Sequence, residues 1–304
     1  MRTFLRAHWK VLVAIILLVL LALFTMTPGA AVMPEPSLAL RLRAHAAAIA
    51  SGEGDTARYI EGVLQGEGYA VRRQEYQAGA RRVRNIEVSV ANLAPHAKPA
   101  RIFIVGARYD AAPLAAAASD KGSGAAAVLE LARLLKDLHP SQGTEVKFVF
   151  FVDETPSGLK GEDLGSTGDA GASPVLAAVG WYSLRHGRKP DAARTDSGNF
   201  IAFVGTLEAS RLVQDALSAF RAVSDFPAHG LAAPAYVQGV TFSDRAAVRR
   251  FGYPAIMITD TAFMRYPYYH MGEEIPDQLD AEGTARVVRG LARTLTRLAA
   301  GAQT

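Results

Sequence analysis

The chain of 304 residues has no cysteine, which excludes disulfides, thiolate zinc sites and cysteine nucleophiles. A core of this size is stable without bridges, so the absence says little about compartment. Charge is missing from one long stretch, Val11 to Pro34. Also missing are a Gly-rich phosphate loop and a GxSxG nucleophile elbow, and the Ser, His and Asp residues show no triad spacing. Arg2, Arg6 and Lys10 are the only charged side chains before Glu35, and beyond them 30 basic residues face 29 acidic ones. The pI of about 9.3 therefore belongs to the N-terminus and does not point to nucleic acid. Arg81, Arg82 and Arg84 form a small cluster that reads as solvated surface.

What is there begins with that uncharged stretch. Val11–Met26 is almost wholly apolar, with Trp9 at one end and Thr27–Met33 at the other, and a bilayer core needs roughly 20 such residues. Positive residues precede it, so the N-terminus is expected in the cytoplasm and the remainder across the membrane. Gly29-Ala30-Ala31 would serve a signal peptidase, but the run exceeds the usual signal-peptide core, which favours an uncleaved anchor. The expected organisation is a cytoplasmic basic segment at 1–10, a transmembrane signal-anchor at 11–33 meeting the lipid bilayer, a linker and entry helix at 34–54, and one domain at 55–304. That places the chain as a single-pass protein of the inner (plasma) membrane, its C-terminal domain periplasmic or extracellular.

Leu38–Ala50 and Asp55–Glu67 read as helices, the second with a stripe through Ala57, Ile60, Val63 and Leu64. Tyr69–Tyr76 and Val83–Val90 look like strands. Arg101–Ala107, Val146–Val152, Phe200–Val204 and Ala255–Thr259 are continuous apolar runs, the pattern of strands covered on both faces. Helices are expected at Ser123–Asp137, capped by Ser123, at Ala209–Arg221 and at Asp280–Ala299. Buried strands alternating with helices predict an α/β fold, a three-layer α/β/α sandwich around a mainly parallel sheet.

In such sheets, sites form where the chain leaves the carboxyl ends of strands. Three exits carry chemistry: Arg108-Tyr109-Asp110 followed by Ser119-Asp120-Lys121-Gly122-Ser123-Gly124, then Asp153-Glu154-Thr155-Pro156, then Asp260-Thr261-Ala262 leading to Arg265-Tyr266-Pro267-Tyr268-Tyr269-His270.

The motifs GARYD, SDKGSGAAAVLELARLL, FVDETP with GEDLGS, GNFIAFVG and GYPAIMITDTAFMRYPYYH resemble, in order and spacing, the co-catalytic zinc aminopeptidase family. That family includes bacterial leucyl aminopeptidase-like enzymes, glutaminyl cyclases and receptor-type members without activity. The likeness runs from about Asp55 to Ala299. It implies a site for two zinc ions, held by a His, a bridging Asp, a Glu, a further Asp or Glu and a last His, with a separate Glu as general base.

Carried onto this chain, the resemblance puts the first His on Arg108, the bridging Asp on Ser119, the ligand Glu on Thr155 and the fourth ligand near Ala177. Glu154 keeps the base position and His270 is the only retained ligand position. One imidazole does not hold zinc, which wants three or four protein ligands; hydroxyls are poor donors and a guanidinium cannot ligate. A single-zinc cyclase site would need Ser119, Thr155 and His270 and fails likewise. Exchanging three carboxylates and a His for this set makes the site four charges more positive, the charge of two zinc ions. Arg108 is thus expected to fill the vacated space and to pair with Asp110, Asp120 or Glu154. Phe263, Tyr266, Tyr268 and Tyr269 either line a pocket or pack in the core.

The resemblance therefore implies a non-catalytic peptidase homologue, without a metal cofactor, that binds a peptide or protein partner. The rival expectation is an active zinc exopeptidase with an unorthodox site built from Asp110, Asp120, Glu154 and His270.

Overall fold

The computed structural model describes residues 36–51, 55–78, 81–109, 118–151, 175–180, 200–234, 237, 254–260 and 279–301, without the side chains of 76–78, 81, 118–121 and 175–180. Nearly all of these belong to one compact unit, Leu38–Thr304. The segment 11–33 lies outside them; among the described residues no helix is long and apolar enough to cross a membrane.

The fold is mixed α/β. Eight strands form one sheet: β1 (Arg72–Ala78), β2 (Arg81–Asn92), β3 (Arg101–Arg108), β4 (Thr144–Phe151), β5 (Val175–Gly180), β6 (Ile201–Thr206), β7 (Ala228–Ala233) and β8 (Ala255–Thr259). Their spatial order is β1-β2-β4-β3-β5-β8-β6-β7. The four central strands β4, β3, β5 and β8 are mutually parallel, so their carboxyl ends share one edge. The flanks break the pattern. β2 is antiparallel to β4 and to β1, while β6 is antiparallel to β8 and parallel to β7.

Among the described residues five α-helices accompany the sheet: α1 (Leu38–Ala50), α2 (Thr56–Gly66), α3 (Ala118–Leu134), α4 (Ser210–Arg221) and α5 (Ala281–Ala299). They pack on one another and on one face of the sheet. Alternate residues of the central strands feed that core, among them Phe103 and Val105 of β3 and Phe148 and Phe150 of β4. A fully buried Phe contributes about 1.5–3 kcal/mol each over its exposed state. On the opposite face Ile102, Ile104, Val149 and Phe151 are buried too. Burial on both sides is why these strands read as unbroken apolar runs.

Capping sets several helix starts. Asp55 accepts from the Arg58 N–H at 3.2 Å ahead of α2, and Asp280 accepts from Gly283 N–H at 3.0 Å ahead of α5. Ser123 does not cap α3, contrary to expectation. The helix starts at Ala118, and Ser123 is buried inside it. The reason is contact with α1: a Cβ on Gly122 would sit 2.8 Å from the Ala46 carbonyl oxygen. Glycine here serves close helix packing. Three further findings concern strands. β1 spans Arg72–Ala78 instead of Tyr69–Tyr76. Ala177 belongs to a strand, β5. β7, with its weak sequence AHGLAA, was not anticipated.

Candidate functional site at the carboxyl edge

The carboxyl edge gathers the sequence positions of interest. Arg108 closes β3 in register with Phe151, the last residue of β4, and the Tyr109 N–H donates to the Phe151 carbonyl at 3.1 Å. Ser119 and Asp120 lie in the first turn of α3. Ala177 pairs with Gly106, two residues before Arg108. Those four positions are brought to one end of the sheet. Asp110, Glu154, Thr155, Phe263, Tyr266, Tyr268, Tyr269 and His270 lie outside the described residues, as do the side chains of Ser119, Asp120 and Ala177.

Arg108 is half-buried and its Nε is enclosed. Strand alternation places it on the face opposite the helices, beside the buried ring of Phe151. Gly106, one position on the same face behind it, makes room for that ring: a Cβ there would overlap Phe151. Tyr109 points the other way, into the helix-side core. Its hydroxyl donates to the Arg84 carbonyl oxygen at 2.6 Å. This ties the end of β3 to β2. Asp260, just past β8, is another buried carboxyl group at this edge.

Arg84 corrects the reading of the Arg81, Arg82 and Arg84 cluster as solvated surface. Its Nε reaches Glu61 at 2.7 Å and its second amine Asp55 at 3.1 Å. Arg73 adds a bond to Glu61 at 2.8 Å. The Arg73 hydrogen bond, followed by that of Arg84, holds the Glu61 carboxyl below its ordinary range against the opposing effect of burial. Arg82 is exposed beside Glu75, as expected. Residue 81 has no described side chain.

A second charged constellation had no place in the sequence reading. Glu130 of α3 is fully buried. It accepts from Arg41 Nε at 2.9 Å, from Arg133 Nε at 2.8 Å and meets His45 Nε2 at 3.0 Å. The other ring nitrogen, His45 Nδ1, lies 2.7 Å from the Tyr59 hydroxyl. Burial alone would raise the Glu130 pKa, but hydrogen bonds from His45, Arg133 and Arg41 bring it down to about 2. An ionised Glu130 has no proton to give, so His45 carries hydrogen on Nε2 and accepts from Tyr59. The available signal was a lone acid in the run GSGAAAVLELA, between Lys121 and Arg133. Among the described residues no group of three His, Cys, Asp or Glu is placed to hold a metal ion.

The comparisons with known proteins bear on this geometry. The model of peptidase family M28 matches residues 89–295, from β2 to near the end of α5. The chain belongs to peptidase family M28. It is 32% identical over 257 residues to the Escherichia coli (strain K12) protein YfbL, itself uncharacterised, covering 78% of this chain and 77% of that one. Its fold is similar to that of a glutaminyl cyclase from Porphyromonas gingivalis, with TM-score 0.58 and 17% identity over 86% of this chain and 98% of that one. It is also similar to an aminopeptidase from Aneurinibacillus sp. strain AM-1, with TM-score 0.51 and 19% identity over 72% of this chain. The M28 chain described here spans 48% of that aminopeptidase's length. At these identities the two solved structures speak for the fold, and the resemblance to aminopeptidases and glutaminyl cyclases stands.

Proposed function

We propose that this protein is a membrane-anchored M28 homologue that holds a peptide or protein partner at the carboxyl edge of its sheet and does not hydrolyse it. In this reading the domain is a three-layer sandwich on the far side of an inner membrane, carried by the apolar segment 11–33. The observation that supports it is Arg108. A permanent cation with its Nε enclosed ends β3 at the position where the resemblance expects a zinc-binding His.

The donor set drawn from the sequence does not fit a zinc pair. Arg108 is cationic, Ser119 and Thr155 offer neutral hydroxyls, Ala177 offers a methyl group, and His270 is one imidazole. Without a metal-bound water Glu154 has no proton to abstract, so it serves as a counter-charge, with Asp110 and Asp120, for Arg108. Swapping carboxylates and metal together leaves the site's charge unchanged, and this avoids the cost of uncompensated buried carboxylates. The aromatic run Phe263, Tyr266, Tyr268 and Tyr269 supplies apolar contact for a bound side chain.

Metal analysis of the purified, untagged protein tests this. Zinc far below one equivalent, and no turnover of an aminoacyl chromogenic substrate, is the expected result. Replacing Arg108→His, Ser119→Asp, Thr155→Glu and Ala177→Asp together is expected to restore zinc binding. Stoichiometric zinc with chelator-sensitive hydrolysis in the native protein would sink the proposal. It would favour a second reading, a zinc exopeptidase using Asp110, Asp120, Glu154 and His270, which membership of a peptidase family supports.

A further inference from the structure

The Glu130 constellation ends on a hydroxyl that is only partly buried. α1 runs antiparallel to α3, because Ala46 faces Gly122 while Arg41 and His45 face Glu130. His45 is buried there, with Nε2–H on the Glu130 carboxylate at 3.0 Å and the Nδ1 lone pair accepting from the Tyr59 hydroxyl at 2.7 Å. Tyr59 itself, on α2, is partly exposed. The order hydroxyl, imidazole, carboxylate is that of a nucleophile, its base and the acid that orients the base. These groups stand on the helix side of the sheet, whereas Arg108 faces the other side. Close packing does not account for the neighbourhood of Tyr59. Gly62 lies one turn further along the same face of α2, and glycine inside a helix is unfavourable relative to alanine. At Gly122 and Gly290 a Cβ would collide with Ala46 or Phe220, but at Gly62 it would meet no described atom within 4 Å. A side chain at 62 would lean back over the turn that carries Tyr59. With glycine, that approach is bare.

We propose that Tyr59 is a nucleophile for acyl transfer, reached across the bare face at Gly62 and activated by His45 and Glu130. In the step, the phenol oxygen bonds to the carbonyl carbon of an activated ester, the ester C–O bond breaks, and the leaving group departs as its anion. The phenol proton passes to Nδ1 of His45, and Glu130 holds the imidazolium until water takes that proton away. The product is an O-acyltyrosine. Burial raises the Tyr59 pKa, with Arg41 opposing and Glu130 adding to the effect. The phenol therefore keeps its proton at neutral pH and needs a base to react. Arg41, near enough to favour the ionised phenol, faces the negative charge that grows during attack. The charges also select the electrophile. Arg41 and Arg133 are already committed to the carboxylates of Glu67 and Glu130. A phosphoryl donor would need a cation of its own, whereas an uncharged acyl donor needs none.

Treating the full chain with p-nitrophenyl acetate and mapping acetylated residues by peptide mass spectrometry over time tests this. Tyr69 is the internal reference, because it is also partly buried and its hydroxyl donates to the Ala132 carbonyl, which is no base. Tyr59 is expected to be acetylated about 100-fold faster than Tyr69, and His45→Gln to remove that excess. Gly62→Leu, which alters none of the three groups, is expected to slow Tyr59 and leave Tyr69 unchanged. Near-UV circular dichroism identifies the variants that fold. Equal rates at Tyr59 and Tyr69 in the folded native protein overturn the proposal without any variant. A folded His45→Gln protein that acetylates Tyr59 at the native rate overturns it as well, since His45 then serves packing alone. Should His45→Gln fail to fold, the native ratio decides.

Discussion

Between α1 and α3 the buried charge is a carboxylate, Glu130, met by two guanidinium groups and the Nε2–H of His45, whereas at the end of β3 the half-buried charge is a guanidinium, Arg108. The first arrangement is closed: every partner is a described side chain on α1 or α3, and both helices must be in place for it to exist. The second sits where strands end and loops begin, so its partners can change without disturbing the sheet. A buried ion tied into helix packing is fixed by stability. One at a strand exit is free to follow function, and on the proposed reading it has done so.

The largest expected effect breaks the closed arrangement. Glu130→Leu strands Arg41, His45 and Arg133 without their anion and should cost about 3–5 kcal/mol in urea unfolding. Acid should act on the same group. Its folded pKa of about 2 lies below the ordinary 4.5, so its contribution is complete above pH 4.5 and is lost as pH falls toward 2. That contribution is about 3 kcal/mol, and Glu130→Gln should flatten this part of the stability–pH profile. Gly122→Ala tests the helix contact without touching charge. The added methyl meets the Ala46 carbonyl oxygen and should cost about 1–3 kcal/mol.

At the open arrangement the effects should be smaller. Arg108→Met is expected to cost about 1–2 kcal/mol, as removal of a charged hydrogen-bonding group that is half in water; a loss matching that of Glu130→Leu would erase the distinction between the two regions. Tyr109→Phe removes only the bond to the Arg84 carbonyl and should cost about 0.5–1.5 kcal/mol. Its sharper readout is local, in faster amide exchange along the last turn of β3.

The same contrast explains what the sequence made legible. β3, β4, β6 and β8 were readable because two-sided burial leaves continuous apolar runs, and α2 because its apolar residues repeat at helical spacing. The start of α3 was not: Gly122-Ser123-Gly124 has the look of a helix boundary, and only the approach of Ala46 shows why glycine belongs inside. β7 was hidden because AHGLAA holds its place by pairing with β6 and packing on α4, with no β-branched residue to announce it. Of the candidate positions, Arg108 and Ser119 were chosen because they follow an apolar run, and the end of such a run is the part of a strand that a sequence marks. It could not reveal the Glu130 constellation, in which Arg41 bonds to a residue 89 positions away and whose logic is three-dimensional.

The antiparallel seating of α1 on α3 has a mechanical consequence. A load along the axis of α1 would slide it against α3, instead of peeling it away one residue at a time. Sliding must rupture the Arg41 and His45 links to Glu130 together, and it drives Ala46 across the notch at Gly122. Such a helix resists shear as one unit, because its ion pairs and its glycine notch have to yield at once.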